Sequence, residues 1–342
     1  MPSCYVDVFG LITSQHNEPP RHPQKTTAAL RLLYNIPDQA ARAKLSKALF
    51  RAYWVEGKDV SSKATLINTL YAASIPGAMA LIRAVEDGSF EGEKQRQELE
   101  TATDQAVKRG TPGVPGFWVP DEVWTDKTGQ QRQGRLYWGQ DRMQFVESVL
   151  LALNEGKRGD QIGSIATPLQ SLIPRCVHNA SISSGQDVKV EFWYDFSSPW
   201  AFLGWTQLAR LQRQFGSRLE IAMKPFLLGI LFREIGAPNT PMRAVSEQKR
   251  NYSQLDHSDW CRWWNAVNEQ KGRLDKPVEF YWADIFPIRT PTVLRAALVE
   301  PGLVGPLCKS GHPPGRRSIS ALIDLQSVPA GSGTSTCPPT KC

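Results

Sequence analysis

The spacing of apolar residues changes along the chain, and each change marks a different kind of secondary structure. Residues 1–24 are rich in proline and polar residues and predict an irregular lead. From there to residue 109 the apolar residues recur at helical spacing. The predicted helices are 26–34, 40–56, 61–73, 76–87 and 91–109. The first third of the chain is therefore expected to be helical.

The pattern becomes strand-like after residue 110. The stretch GVPGFWV, residues 113–119, predicts a strand, and RLYW, residues 135–138, predicts its antiparallel partner across a turn-rich loop. A helix over 141–154 follows, with Phe145 and Val149 on its apolar face. The predicted order is helix, strand, strand, helix.

A second strand-to-helix pattern begins after residues 155–186, which are rich in Gly, Ser and Pro and predict a linker. Alternation over 189–194 predicts a strand, and leucines and aromatics at helical spacing predict a helix that ends at Gly216. Ser198 is a preferred N-cap residue, and Pro199 suits the first helical position. A strand from Leu219 and a helix over 260–275 come next.

Ser198 lies at a predicted helix start, where a negatively charged group would be stabilised. The free N–H groups and the dipole at a helix start favour an anion by about 0.3–1 kcal/mol, so a thiolate would be stabilised there. The alternative is that Ser198 only caps the helix. The six cysteines form no Cys-x-x-Cys pair and the five histidines have no metal-ligand spacing, so neither a disulfide framework nor a metal site is expected.

Composition indicates a globular protein. A hydrophobic content of 41% permits a core, and the basic residues behind the net charge of +7 are scattered, which favours a solvated surface over nucleic-acid binding. No apolar run approaches the ~18 residues of a membrane span, and the N-terminus lacks a signal-peptide pattern. We expect a cytoplasmic protein with no nucleic-acid or membrane partner, while a mitochondrial or peroxisomal location stays open.

Two stretches carry a family resemblance. DFSSPWAFLGW at 195–205 and LEIAMKPFLLGILFREIG at 219–236 resemble the start of the DsbA-like thioredoxin-fold family that contains 2-hydroxychromene-2-carboxylate isomerases and kappa-class glutathione transferases. The resemblance implies glutathione as the cofactor and Ser198 as the catalytic residue facing its sulfur. Related DsbA redox enzymes carry Cys-x-x-Cys at this joint, where this chain has Ser198 to Ala201. Dithiol exchange is therefore not expected.

The predicted hairpin carries a second set of matching motifs. GVPGF resembles the family's cis-proline loop, and WGQDRM, residues 138–143, resembles the segment that holds the glutamyl end of glutathione. The cofactor-binding residues that this implies are Val114, Pro115, Gln140 and Asp141. The backbone of Val114 could pair with a tripeptide, and Asp141 could accept the ligand's ammonium group. The alternatives are an ordinary trans proline and an Asp141 that acts only as a helix cap beside a solvated Arg142.

Three further stretches extend the resemblance. GAPNTPM and EQKRNY resemble the family's segment that closes over the thiol, which implies Asn239 and Lys249 as cofactor-binding residues and places Tyr252 at a matching position. The alternative for Lys249 is an ordinary solvated charge. LFRAYWVEGKDVS, residues 49–61, resembles the family's helical insertion.

An internal repeat indicates how the chain is organised. HPQKTTAALRLL at 22–33 and FPIRTPTVLRAAL at 286–298 share the pattern Pro, two residues, Thr, then Leu-Arg. We therefore predict an α/β, thioredoxin-like fold with an all-helical insertion and its halves in reversed order. The predicted segments are the C-terminal half over 25–154, the linker, the N-terminal half over 187–300 and a disordered tail over 301–342.

The sequence leaves the assembly and the exact activity open. The halves could meet within one chain or exchange between the two chains of a homodimer, because a flexible linker of this length spans about 30 Å. A third possibility is that the chain folds poorly. The expected function is that of a glutathione-dependent isomerase or glutathione transferase acting on an aromatic or polyketide-type small molecule. The alternative is a non-catalytic glutathione-binding or protein-binding remnant of a tandem thioredoxin-like protein.

Overall fold

The computed structural model describes most of the chain as two compact units. The units are residues 1–109 and 110–342, and the described residues within them are 22–126, 128–157, 187–238, 240–270, 272 and 275–299. Most of the predicted lead and linker, and the whole predicted tail, lie outside the described residues.

The first unit is helical, as predicted. Its helices are α1 (Thr27–Leu33), α2 (Gln39–Trp54), α3 (Lys63–Ala73), α4 (Ala78–Asp87) and α5 (Glu93–Lys108). The side chain of Asp38 caps α2 by accepting a hydrogen bond from the backbone N–H of Ala41 at 2.7 Å. The core is formed by the apolar faces of α1 to α4, where Leu32 and Leu45 are fully buried, and by Phe90 in the short 3-10 turn before α5.

The second unit begins with the predicted hairpin, which is longer than expected. Strand β1 (Gly116–Thr125) pairs antiparallel with β2 (Gln131–Trp138), and the register shifts between Val119 and Val123. The Asp126 carboxylate accepts hydrogen bonds from the backbone N–H groups of Thr128 and Gln130, which closes the turn. A 3-10 turn at Gln140–Arg142 leads into α6 (Met143–Asn154).

A second pair of strands follows in the same unit. Strand β3 (Val188–Tyr194) lies parallel to β4 (Leu219–Pro225), and the two connecting helices are α7 (Pro199–Thr206) and α8 (Leu208–Phe215). The sequence predicts one helix here, but it is interrupted at Gln207, whose N–H donates to Gly204 O three residues back. Among the described residues the four strands form two separate two-stranded sheets.

The remaining helices are α9 (Leu228–Glu234), α10 (Pro241–Ala244), α11 (Glu247–Gln270) and α12 (Pro291–Val299). The prediction of a helix over 260–275 is wrong at both ends, because α11 begins at Glu247 and ends at Gln270. Its early turns carry few large apolar residues, so the apolar spacing marked only its second half. None of the helices in the described ranges is long and apolar enough to cross a membrane.

Helix α11 packs against the hairpin and α6 with one of its faces. The Trp260 and Trp263 rings lie at edge-on angles to Phe145, with centroids 4.9 and 5.6 Å away. Beside them the buried Arg135 guanidinium of β2 binds both oxygens of the Asp259 carboxylate at 2.7 and 2.6 Å. Aromatic contact and a buried ion pair therefore hold α11 in place.

The repeated segments also share their local structure. In each repeat the proline, Pro23 or Pro287, follows a cis peptide bond. In each, the carbonyl of the shared threonine accepts the first hydrogen bond of a helix, from Leu30 to Thr26 at 2.9 Å and from Leu294 to Thr290 at 3.0 Å. The repeat found in the sequence is thus also a repeat of backbone conformation.

Tyr252 should be important for the docking of α11. Its hydroxyl accepts from the backbone N–H of Trp138 at 2.8 Å and donates to the carbonyl of the same residue at 3.1 Å. Tyr252→Phe leaves both backbone groups without this partner, so we expect a loss of about 1–3 kcal/mol in the free energy of unfolding, measured by urea titration. Tyr281→Phe, at a side chain 84% exposed, is the control and should change nothing.

Candidate functional site

The predicted cap of α7 is confirmed. Ser198 has an extended backbone, and its Oγ accepts a hydrogen bond from the N–H of Ala201 at 3.1 Å, with Pro199 at the first helical position. Because Oγ acts as an acceptor in this contact, its proton can be donated in another direction. The Ser198 hydroxyl therefore lies at the positive end of a helix and can still donate a hydrogen bond.

The neighbouring serine is held by a residue that the sequence analysis did not single out. Asp195 is only 3% exposed, and its carboxylate accepts from the N–H and the Oγ of Ser197 at 2.9 and 3.0 Å. Its second oxygen accepts from the N–H of Leu228, at the start of α9, at 2.9 Å. An aspartate two residues before a serine is a common turn signal that could have revealed this contact. The Ser197 hydroxyl is thus committed to Asp195, whereas that of Ser198 is not.

The predicted cis-proline loop is also confirmed. The Val114–Pro115 peptide bond is cis, and Val114 is 88% exposed. The carbonyl of Pro115 accepts from the N–H of Gly139 at 3.0 Å, which ties this loop to the segment after β2. Gly113 lies against the Trp138 indole so closely that a Cβ there would be 3.0 Å from Nε1.

Several of the predicted binding residues lie close to Trp138. The ammonium of Lys249 lies 5.4 Å from the centroid of its ring, and the ring of Tyr252 meets it edge-on at 5.8 Å. The same indole lies against Gly113 in the cis-proline loop. The Pro115 loop, the segment from 138 onward and the start of α11 are therefore brought together around one side chain.

Asp141 is not a helix cap, so the capping alternative is wrong. It lies in the 3-10 turn with the exposed Gln140, and no side-chain cap hydrogen bond forms at the start of α6. Its carboxylate instead accepts from Arg142 Nη1 at 2.5 Å. Arg142 is not solvated either, because its Nε and Nη2 bind the carboxylate of Asp256 in α11 at 2.5 and 2.9 Å. Asp141 therefore remains an exposed acceptor beside a shared guanidinium.

A histidine on the other side of α11 contacts the start of α7. His257 Nε2 lies 2.9 Å from the carbonyl oxygen of Pro199. A carbonyl can only accept, so Nε2 carries the hydrogen and Nδ1 is left to accept from the Cys261 thiol at 3.8 Å. Burial lowers the pKa of His257 and raises the pKa of Cys261 to about 11. The pair is therefore a neutral imidazole and a neutral thiol.

The predicted site residues thus fall into two groups that share α11. One group includes Lys249 and the Pro115 loop, which lie near Trp138, and Asp141, three residues after Trp138 in the chain. The other contains Ser198 with its buried support. No hydrogen bond among the described residues joins the two groups directly, and the adjacent residues Asp256 and His257 connect them through α11. Asn239 lies outside the described residues.

The described residues contain no group of three or more His, Cys, Asp or Glu side chains that could hold a metal ion. One buried acidic group belongs to the packing of the hairpin. Glu122 accepts from the Tyr137 hydroxyl at 2.9 Å and lies 3.8 Å from the Arg135 guanidinium. Burial raises the pKa of Glu122, an effect that Arg135 opposes.

Cys261 should be unreactive in the native protein. The thiolate is the reactive form of cysteine, and burial keeps the pKa of Cys261 near 11, so at pH 8 the thiol stays protonated. We expect iodoacetamide at pH 8 to leave the Cys261 peptide unmodified in buffer and to modify it in urea, as measured by mass spectrometry. Modification in buffer as fast as that of free glutathione would contradict the buried, neutral thiol.

Comparison with known proteins agrees with these features at the level of the family. No curated protein matches the chain. A family model described as the DSBA-like thioredoxin domain matches residues 15–151 and 189–266, which together are more than half of the chain. The first segment contains the cis-proline loop and the hairpin, and the second contains Ser198 and most of α11. The chain therefore belongs to the family of DSBA-like thioredoxin domains and has its mixed α/β fold.

Proposed function

We propose that this protein binds glutathione and acts as a glutathione-dependent isomerase or transferase on an aromatic or polyketide-type small molecule. The observation that carries the proposal is the hydroxyl of Ser198, which caps α7 and keeps a proton to donate while Ser197 is bound to Asp195. No cysteine stands at this helix start, so the reactive sulfur would have to come from the ligand.

The residues around Trp138 fit the other parts of such a ligand. The exposed Val114 leaves its backbone accessible for pairing with an extended peptide. Asp141 is an exposed acceptor suited to an ammonium group, and Lys249 is a cation suited to a carboxylate. Trp138 Nε1 is a buried donor with no hydrogen-bond partner among the described residues, beside the cis-proline loop. A tripeptide with one ammonium group and two carboxylates matches these features.

When bound, glutathione would supply a thiolate that adds to an electrophilic carbon of the substrate. The role of this protein would be to stabilise the negative charge on the glutathione sulfur. Ser198 would donate its hydroxyl hydrogen toward that charge, and the first turn of α7 would add the field of its free N–H groups. Asn239 and Lys249 would orient the acceptor or the ligand's carboxylates.

We further propose that the two halves, in reversed order relative to the family, complete one site either within a chain or by exchange in a homodimer. The proposal is supported by α11, which contacts both Pro199, next to Ser198, and Trp138. Light scattering in solution measures the mass that separates a monomer from a homodimer.

The role of Ser198 can be tested on the bound thiol. Ser198→Ala should cost about 0.5–2 kcal/mol in the free energy of unfolding, because a helix cap is lost. It should also raise the pKa of bound glutathione toward the free-thiol value, whereas the unmodified protein should hold it well below that value. The ultraviolet absorbance of the thiolate, followed against pH, measures this pKa in both proteins. Urea titration measures the change in the free energy of unfolding.

Ser197→Ala is the matched control, because it removes a hydroxyl that is bound to Asp195. It should lower stability and leave the thiol titration unchanged. Equal titration in unmodified protein and Ser198→Ala would refute the assigned role.

Calorimetry and turnover assays separate the broader alternatives. A folded sample that binds no glutathione would overturn the proposal. Binding without turnover of an arene oxide, a halodinitrobenzene or a hydroxychromene carboxylic acid would favour the non-catalytic binding protein.

A further inference from the structure

Strand β3 has one edge that no strand among the described residues covers. It pairs with β4 alone, in an unbroken parallel register from Val188 to Tyr194. An unpaired edge presents free backbone N–H and C=O groups, so another strand can add to it. Strand β1 of the hairpin, by contrast, carries Pro120 and a register shift between Val119 and Val123, features that interrupt such pairing. The edge of β3 has no such protection.

The burial of apolar side chains also stops at this edge. On the face of the sheet that packs against α8, Leu219 and Ile221 of β4 are only 7% and 2% exposed. Their direct neighbours in β3, Val188 and Val190, are 38% and 43% exposed. Apolar surface is therefore left open one strand away from a buried core.

The opposite face of β3 carries charges of both signs. Lys189 lies 3.5 Å from Glu220 of β4, and Glu191 lies 3.3 Å from Lys224. These four side chains are between 41% and 57% exposed, so the two ion pairs contribute little to stability. Lys189 and Glu191 thus remain accessible to charges on an added strand.

The sequence of β3 is complementary to itself about Val190. Two antiparallel copies can be aligned with their Val190 residues face to face. Each Lys189 then lies opposite Glu191 of the other copy, so that opposite charges meet on one face. Each Val188 lies opposite Phe192 of the other copy, so that apolar side chains meet on the other face. A strand that matches a reversed copy of itself is what a two-fold symmetric interface requires.

Neighbouring registers do not give this match. Centring the pair on Lys189 or on Glu191 keeps the two faces but sets two like charges against each other. A shift by an odd number of residues sets the apolar face of one copy against the charged face of the other. The register centred on Val190 is therefore favoured.

We propose that two copies of this chain associate by antiparallel pairing of their β3 edges, centred on Val190. The two sheets would then join into one sheet with the order β4, β3, β3, β4. On its charged face the signs would alternate from Glu220 and Lys189 of one copy to Glu191 and Lys224 of the other. Two seven-residue edges are small beside the roughly 1,600 Å² of a standard interface, so the dimer should be weak. The pairing needs no exchange of halves and does not rest on the glutathione-dependent function.

Charge reversal tests this register. Lys189→Glu and Glu191→Lys should each weaken dimerisation about tenfold, because each sets like charges face to face at two symmetric positions. The double variant Lys189→Glu/Glu191→Lys should restore the affinity, because the two signs are exchanged in both copies. It does not restore the contacts with Glu220 and Lys224 within the chain, so recovery has to come from the other copy. Analytical ultracentrifugation over a wide range of protein concentration measures the dissociation constant.

Two further variants check the contact. Glu220→Gln is the matched control, because it removes the same ion pair within the chain and should leave the dissociation constant nearly unchanged. Val190→Cys should form a disulfide between the two copies under oxidising conditions, because opposite Cα atoms of antiparallel strands lie about 4.5–5.5 Å apart. Val188→Cys, which lies opposite Phe192 in this register, should form no link to its own counterpart. Mass spectrometry of the linked peptides identifies the residues joined.

Several results would overturn the proposal. These are a monomer at every concentration, a double variant that dimerises no better than the single ones, and a dimer unaffected by either single variant, which would indicate exchange of halves instead. Circular dichroism checks that each variant folds, and Val190→Cys decides the matter if a charge variant does not. Failure of glutathione binding alone would leave this interface intact, so the two proposals fail separately.

Discussion

The second unit depends on two adjacent residues of α11 that point in different directions. Successive side chains on an α-helix are about 100° apart around its axis. Asp256 therefore binds Arg142, which follows the hairpin, while His257 points another way and contacts the carbonyl of Pro199 at the start of α7. One rigid helix therefore sets the spacing between the two groups of candidate site residues, even though their strands lie in separate sheets.

The hairpin side of this arrangement contains buried charges, which has a physical cost. Burial raises the pKa of Asp256 and of Glu122, so both carboxylates are less favourable inside the protein than in water. Arg142 and Arg135 offset that cost through paired contacts. Buried ion pairs often add little net stability, but losing one partner is costly, about 3–5 kcal/mol. Of these two pairs, Arg142–Asp256 joins the segment after the hairpin to α11, whereas Arg135–Glu122 lies within the hairpin.

The sequence revealed the features that depend on neighbouring residues. The cap at Ser198, the hairpin from its alternating residues and the cis-proline loop from its motif are all local signals. It did not reveal the start of α11 at Glu247, because the early turns of that helix are polar and are held by contacts such as Tyr252 with Trp138, 114 residues away in the chain. The separation of the strands into two sheets also depends on such distant contacts.

The loop that carries Ser197 and Ser198, between β3 and α7, is also held by both local and distant contacts. Asp195 occupies the hydroxyl of Ser197 and also reaches Leu228, so the loop is held at both ends by one buried carboxylate. His257 and Cys261 are both neutral next to it, so they place no charge at the helix start. The field at Ser198 then comes mainly from the first turn of α7. An anion there would meet a fixed donor and a helix dipole, and Cys261, the cysteine of the described residues, stays protonated and does not compete for them.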